Sequence, residues 1–300
     1  MDAPSPTPIA PLGGRTALVT GVSRRRGIGF AIACALLDLG ANVYAHHFHR
    51  HDLDQPWGGD DVDALVAELE THRHPGALLD HTDADLSDAT QVEPLLTVAE
   101  GLTGRIDILV CNQARSGMDG SILDMDATRL GAHWDATARA PLLLTAGLAR
   151  RVSGGRDTPA RPGERSQDPG AWRNGRSDVP PRAKILWMTS GQLHSPMRGE
   201  VAYAASKAAL AGVTRTVAAE LLDLGIVLNT IDPGPVNTGY LDVETTDRGE
   251  DRIKELLRAT PFGRFGRPED VARLVAWLAG DEGSWVVGQV ITSDGGFSTT

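Results

Sequence analysis

Two side chains one helical turn apart can move a proton. Tyr203 and Lys207 open a strongly helical run, Tyr203-Ala-Ala-Ser-Lys207, and positions i and i+4 share a helix face. An ammonium beside a phenol favours the phenolate and draws its pKa from about 10 toward neutrality, where proton transfer becomes feasible. Ser190 lies upstream at the end of an apolar run, in Met188-Thr189-Ser190-Gly191, where a hydroxyl could hold a carbonyl oxygen. Singly, each is an ordinary structural residue. Their order behind a glycine-rich turn is what argues for a site.

That turn is Thr20-Gly21-Val22-Ser23-Arg24-Arg25-Arg26-Gly27-Ile28-Gly29. It follows a β-type run, Arg15–Thr20, and precedes a helical pattern over Ile28–Leu39 that ends at Gly40. Glycines let a pyrophosphate approach the backbone, and a helix N-terminus offers N–H groups and a favourable dipole. Gly21, Ser23, Arg24, Gly27, Ile28 and Gly29 are the expected phosphate contacts, with Arg24 the arginine expected to meet an anion. The second strand carries no acid near His47, where dinucleotide folds that select NAD place one for the ribose hydroxyl. The missing acid, with histidine and arginine nearby, favours a 2′-phosphate: His47 is an expected cofactor contact and NADP(H) the expected cofactor, with NAD(H) possible. His46, His47, His49 and His51 invite a metal reading, but strand alternation splits them between faces, so no metal is expected.

The elements that must carry these residues alternate along the chain. Strands are predicted at Asn42–Ala45, Ala77–Leu79, Ile106–Val110, Lys184–Thr189, Val227–Ile231 and Val286–Thr292, besides Arg15–Thr20. Helices are predicted at Val62–Thr71, Asp88–Leu102, 128–151 (kinked or divided by Pro141), Val201–Asp223 and Pro268–Ala279. The pattern predicts α/β architecture: a Rossmann-like doubly wound parallel sheet of about seven strands with helices on both faces. Residues 1–14 read as a flexible arm and 15–300 as a single dinucleotide-binding catalytic domain. Within it, residues 150–182 read as a disordered insertion holding eight arginines against four acids.

Composition removes other classes. The 300 residues are 41% hydrophobic and 23% charged, which suits a globular chain with a sizeable core. A net charge of −10 argues against nucleic acid as a partner. Cys34 and Cys111 cannot build a disulfide framework, and no apolar run reaches the ~18 residues of a membrane span. The N-terminus lacks the features of a secretory signal, so a cytoplasmic protein is expected.

With these residues in view, the chain resembles the short-chain dehydrogenase/reductase family over roughly residues 15–150 and 183–297. It is similar to members known as 3-oxoacyl carrier-protein reductases. The resemblance implies hydride transfer between a nicotinamide and a carbonyl or secondary alcohol. Tyr203 would be the general acid or base, Ser190 the carbonyl-positioning hydroxyl, and Lys207 the cation that lowers the tyrosine pKa and binds the nicotinamide ribose. It further implies adenine contacts from Asp85 and Leu86 and cofactor contacts from Asn112, Tyr203, Pro233, Gly234 and Thr238. It also implies a homo-oligomer, tetramer or dimer. Gln192, His194 and Met197, between Ser190 and Tyr203, are expected to line the substrate pocket, and residues 239–262 to form its lid.

Three features depart from the family pattern. Five residues separate Gly21 from Gly27 instead of three. The family's Asn-Asn-Ala-Gly is replaced by Cys111-Asn112-Gln113-Ala114. The asparagine that helps hold a relay water is Thr137. Two other readings therefore fit the same residues. One is epimerisation or dehydration through transient oxidation. The other is a dinucleotide-binding protein with weak or no catalysis.

Overall fold

The computed structural model describes residues 10–154, 180–242 and 250–299. Seven strands form one parallel sheet: β1 (Thr16–Thr20), β2 (Asn42–His47), β3 (Leu79–Asp83), β4 (Ile108–Cys111), β5 (Ala183–Met188), β6 (Ile226–Asp232) and β7 (Val290–Thr292). Their order is β3-β2-β1-β4-β5-β6-β7. The chain reverses direction across the sheet between β1 and β4. Ligands of such sheets bind in the crevice that opens there, beyond the carboxyl ends of the strands.

Strands β1, β2, β4, β5 and β6 are buried along their whole length. This is why they read as continuous apolar runs. Successive side chains feed opposite layers. Val19, Val43 and Val110 pack with Ile32 and Leu36 of α1 (Ile28–Asp38) and Val271 and Val275 of α9 (Pro268–Ala279). On the other face Leu18, Leu109 and Trp187 pack with Leu95 of α4 (Val92–Gly101), Leu144 of α6 (Ala140–Val152) and Leu210 of α7 (Val201–Leu222). The fully buried Trp187 indole donates to Thr145 Oγ1 at 3.0 Å.

The structure revises several boundaries. The third strand is Leu79–Asp83, not Ala77–Leu79. It is the half-exposed edge of the sheet, so its pairing residues are polar and carry no apolar signal. The last strand begins at Val290, because Gly288 turns at φ +67° and donates to Leu228 O before pairing starts. A short helix α2 (His49–Leu53) follows β2, and α3 spans Val62–His72. The segment expected to form the lid contributes α8 (Glu250–Arg258).

The long helix predicted over 128–151 is divided into α5 (Ala127–Trp134), a wide π turn (Asp135–Arg139) and α6. Pro141 has no N–H to give the carbonyl of Thr137 four residues back, so the helix widens by one residue there.

The arm and the insertion are shorter than expected where the chain is described. Leu12 is fully buried, and its N–H donates to Leu39 O, so residues 10–14 belong to the fold. Arg150 and Arg151 lie in α6, where Arg151 pairs with Glu93 and Glu100. Arg182 donates its N–H to Gly225 O beside β5. Residues 1–9 and 155–179, with the remaining insertion arginines, lie outside the described residues. The anchoring of residues 10–14 predicts that Leu12→Ala lowers the free energy of unfolding by about 2–5 kcal/mol in urea titration. A change within error would return this segment to the status of an arm.

Candidate active site

The glycine turn is shaped by backbone contacts. Gly21 has φ +73°, and a Cβ there would stand 2.9 Å from Asn112 Nδ2 and 3.0 Å from Gln113 Cα. A Cβ on Gly29 would collide with the Gly21 carbonyl. The Asn112 amide donates to the carbonyls of Thr20 and Gly21, each at 3.1 Å, and so holds the turn open. Beneath it, buried His46 bonds Ala84 O through Nε2, and burial pushes its pKa down to about 4. Gly27 is the N-cap of α1, and no side chain caps the first turn. A narrow, glycine-lined cradle at an uncapped helix N-terminus suits a pyrophosphate, so the residues present fit a dinucleotide.

The three arginines of this turn reach different partners. Arg24 donates to Thr238 O at 2.9 Å and Oγ1 at 3.3 Å, lies 3.5 Å from Asp52, and sits over the Trp57 ring at 5.5 Å. Arg25 pairs with Glu68, and Arg26 with Asp242. Of the three, Arg24 lines the crevice of about 530 Å³, together with Gly27, Ile28, Asn112, Pro233, Gly234 and Thr238. Ser23 is buried in the turn.

His47 is not on that crevice wall. It is buried against His81 Nδ1 (3.1 Å) and Asp83 (3.2 Å). Asp85 and Leu86 lie beyond the end of β3, where Asp85 accepts from the N–H and hydroxyl of Ser87 and Leu86 is buried.

Lys207 ties the catalytic helix to the sheet. Its Nζ donates to Met188 O at 2.7 Å, at the end of β5, while Thr189 Oγ1 donates back to Lys207 O at 3.0 Å. Nζ lies 5.8 Å from the Tyr203 ring centroid. Asp119 clamps the start of α7, accepting from Ala202 N–H at 2.9 Å and Tyr203 N–H at 2.8 Å. His133 meets the Tyr203 ring edge-on at 6.3 Å and bonds Gly117 O through Nε2.

The electrostatics differ from the simple expectation that Lys207 lowers the tyrosine pKa. Burial pushes the Tyr203 phenol above its usual value, with the hydrogen bond from Ser190 pulling the other way. Burial also lowers Lys207, to about 8. Desolvation, visible only in the fold, sets the direction of both shifts.

Thr137 is fully buried in the π turn, and its hydroxyl accepts from Arg115 N–H at 3.1 Å. Next to it, Gln113 Nε2 donates to Ala136 O at 3.3 Å, and Gln113 Oε1 pairs with the Thr20 hydroxyl. One side chain thus joins the glycine turn to the opened helix.

A second cavity of about 850 Å³ adjoins Ser190. His194 and Met197 line it, as do Tyr240 and Leu256 of the lid. Gln192 does not; its amide is tied to Thr189 Oγ1. Residues 243–249 of the segment expected to form the lid lie outside the described residues. Sequence reasoning missed Asp119, Asp232 and Asp52, and marked Gln113 only as a departure from the family pattern. No motif marks Asp119, which meets Tyr203 only through the fold. Asp232 was visible as an acid directly before Pro233-Gly234.

A family model described as enoyl-(acyl carrier protein) reductase matches residues 21–155 and 175–298. Uncharacterized oxidoreductase YjdA of Bacillus subtilis is 31% identical over 94% of this chain and 96% of its own. An NADPH-dependent aldehyde reductase-like chloroplastic protein of Arabidopsis thaliana is 31% identical, covering 97% and 96%. A short-chain type dehydrogenase/reductase of Picea abies is also 31% identical, covering 95% and 93%. Among solved structures, a short-chain dehydrogenase/reductase of Serratia marcescens superposes with a TM-score of 0.74 at 27% identity, covering 96% and 99%. The chain belongs to the short-chain dehydrogenase/reductase family. It is an NAD(P)-dependent oxidoreductase of carbonyl and alcohol groups.

The Asp119 clamp gives a test of positioning. Asp119→Ala should cost about 1–2 kcal/mol of stability, as for a lost N-cap, and lower kcat by roughly tenfold or more through misplacement of Tyr203. Asp119→Asn, which keeps one acceptor, should recover part of both. A stability loss with unchanged kcat would make Asp119 a helix cap and nothing more.

Proposed function

We propose that the protein is an NADPH-preferring carbonyl reductase acting on small or acyl-chain carbonyls. The observation that carries this reading is the joining of Ser190, Tyr203 and Lys207 at one strand end, beside the glycine cradle and an adjoining cavity. A bound nicotinamide dinucleotide supplies the hydride. Gly21, Gly27 and the start of α1 would hold its pyrophosphate, with Pro233, Gly234 and Thr238 along its nicotinamide half.

The chain's own residues do the rest. The Ser190 hydroxyl orients and polarises the carbonyl oxygen. Burial keeps the Tyr203 phenol protonated, so it can give that proton to the oxygen as charge develops there. The Lys207 ammonium, held at Met188 O, stabilises the tyrosinate left behind. Preference for NADPH is supported by the absence of an acid at the end of β2 and by Arg24 on the crevice wall. The Arabidopsis relative named as NADPH-dependent points the same way. An assembly of two or four copies is supported by the exposed Leu130 and Trp134 of α5 and Val213 of α7. A cytoplasmic setting completes the reading; among the described residues, no helix is long and apolar enough to cross a membrane.

Tyr203→Phe should reduce kcat by about 10²–10⁴-fold in a ketone panel followed at 340 nm. Undiminished turnover would remove Tyr203 from the chemistry. The reductive kcat/KM should fall as pH rises through about 8, because Lys207 loses its charge there. A profile that stays flat through that range would take the Lys207 charge out of the reaction. By calorimetry, NADPH should bind at least about tenfold more tightly than NADH, a difference Arg24→Ala erases. Tighter binding of NADH would reverse the cofactor preference.

A further inference from the structure

The proton-transfer set leaves a second ionisable group in the substrate cavity without a role. Asp232 ends β6 and is fully buried. Its Oδ1 accepts the Gly234 N–H at 3.0 Å, while Oδ2 accepts no hydrogen bond and lies 3.4 Å from His194 Nε2. Asp232 pairs in register with Thr292 of β7, and His194 Nε2 also lies 2.9 Å from Thr292 Oγ1. The imidazole therefore rests on two adjacent strand ends, one strand over from Ser190, with about a third of its side chain exposed. Burial raises the Asp232 pKa, while Gly234 N–H, His194 and Lys207 draw it back.

The tautomer of His194 follows from its neighbours. A ring-nitrogen lone pair facing a buried carboxylate would be repelled, so Nε2 carries the proton and donates it to Thr292 Oγ1, with Asp232 Oδ2 beside it at 3.4 Å. Nδ1, on the other side of the ring, is then the acceptor left for a ligand. An acceptor calls for a donor on the ligand. Asp232 and Asp294 on the described wall of the cavity disfavour an anionic one.

We propose that His194, held by Asp232 and Thr292, is a specificity-determining residue that accepts a hydrogen bond from a hydroxyl beside the reacting carbon. The preferred substrates are then hydroxylated carbonyl compounds, the α-hydroxyketone type, and in the reverse direction vicinal diols. This rests on the carbonyl-reductase reading above. It adds the neighbouring hydroxyl as the feature that selects among carbonyls.

Three probes of one shape separate the possibilities: acetophenone, 2-hydroxyacetophenone and benzoylformate, each reduced by the full-length enzyme with NADPH. The hydroxyketone should exceed acetophenone in kcat/KM by about tenfold, the worth of one hydrogen bond in a partly open site, and benzoylformate should be the poorest. His194→Phe, which retains a flat ring, should collapse the ratio to near one. Asp232→Asn, which takes away the charge that fixes the tautomer, should shrink it. Binding of 1-phenyl-1,2-ethanediol against 1-phenylethanol to the enzyme with NADP⁺, followed by fluorescence, should show the same preference and its loss in His194→Phe. That arm needs no turnover. A wild-type ratio near one, a ratio unchanged in His194→Phe, or a preference for benzoylformate overturns the inference while leaving a carbonyl reductase in place. Turnover of no probe and binding of neither alcohol, in an enzyme that still binds NADPH, overturns both.

Discussion

The site depends on one buried cation. Lys207 has almost no contact with solvent, and its Nζ is held by a backbone carbonyl at the end of β5. Removing an ammonium from water is costly unless it is hydrogen-bonded; the carbonyl of Met188 accepts from Nζ, while Thr189 Oγ1 donates to the main-chain carbonyl of Lys207. The same pair of bonds fixes the 22-residue helix α7 against the sheet. Tyr203, one turn earlier, is carried to the mouth of the crevice as a consequence. A guanidinium is too broad and planar for this place. That accounts for a lysine here in a chain where three of 29 basic residues are lysines.

The rest of the site is arranged around that clasp from several parts of the chain. Asp119 fixes the first turn of α7 from the loop after β4. Gln113 and Thr137, two places where the chain departs from its family's pattern, lie beside each other in space. Gln113 takes the carbonyl of Ala136 that the π turn leaves, and its other end reaches the glycine turn at Thr20. The longer glycine turn is likewise accommodated. Each of its arginines has a carboxylate partner, and Arg24 connects the turn to Thr238, at the base of the lid.

Much of this was legible in the sequence where local chemistry dictates structure. A buried parallel strand must be apolar on both faces, so β1, β4, β5 and β6 announce themselves. The glycine turn and the Tyr203–Lys207 spacing are equally local. What was not legible depends on contacts between distant segments. β3 is polar because it is an edge. Leu12 looks like part of a proline-rich arm until its burial under Leu39 is known. Spacing predicts attraction between Lys207 and the Tyr203 phenol, but not the desolvation that raises the phenol and lowers the amine. His47 stands at the expected point of the second strand, yet its side chain turns to His81 and Asp83.

The scarcity of lysine makes the central claim directly measurable. Selective ¹³C labelling of lysine yields three sets of side-chain signals, assigned by substituting Lys184 and Lys254 in turn. The buried clasp predicts that the Lys207 signal titrates near about 8 and shifts when NADP⁺ is added. A Lys207 signal that titrates near the ~10.4 of an exposed lysine and ignores the nucleotide would contradict it.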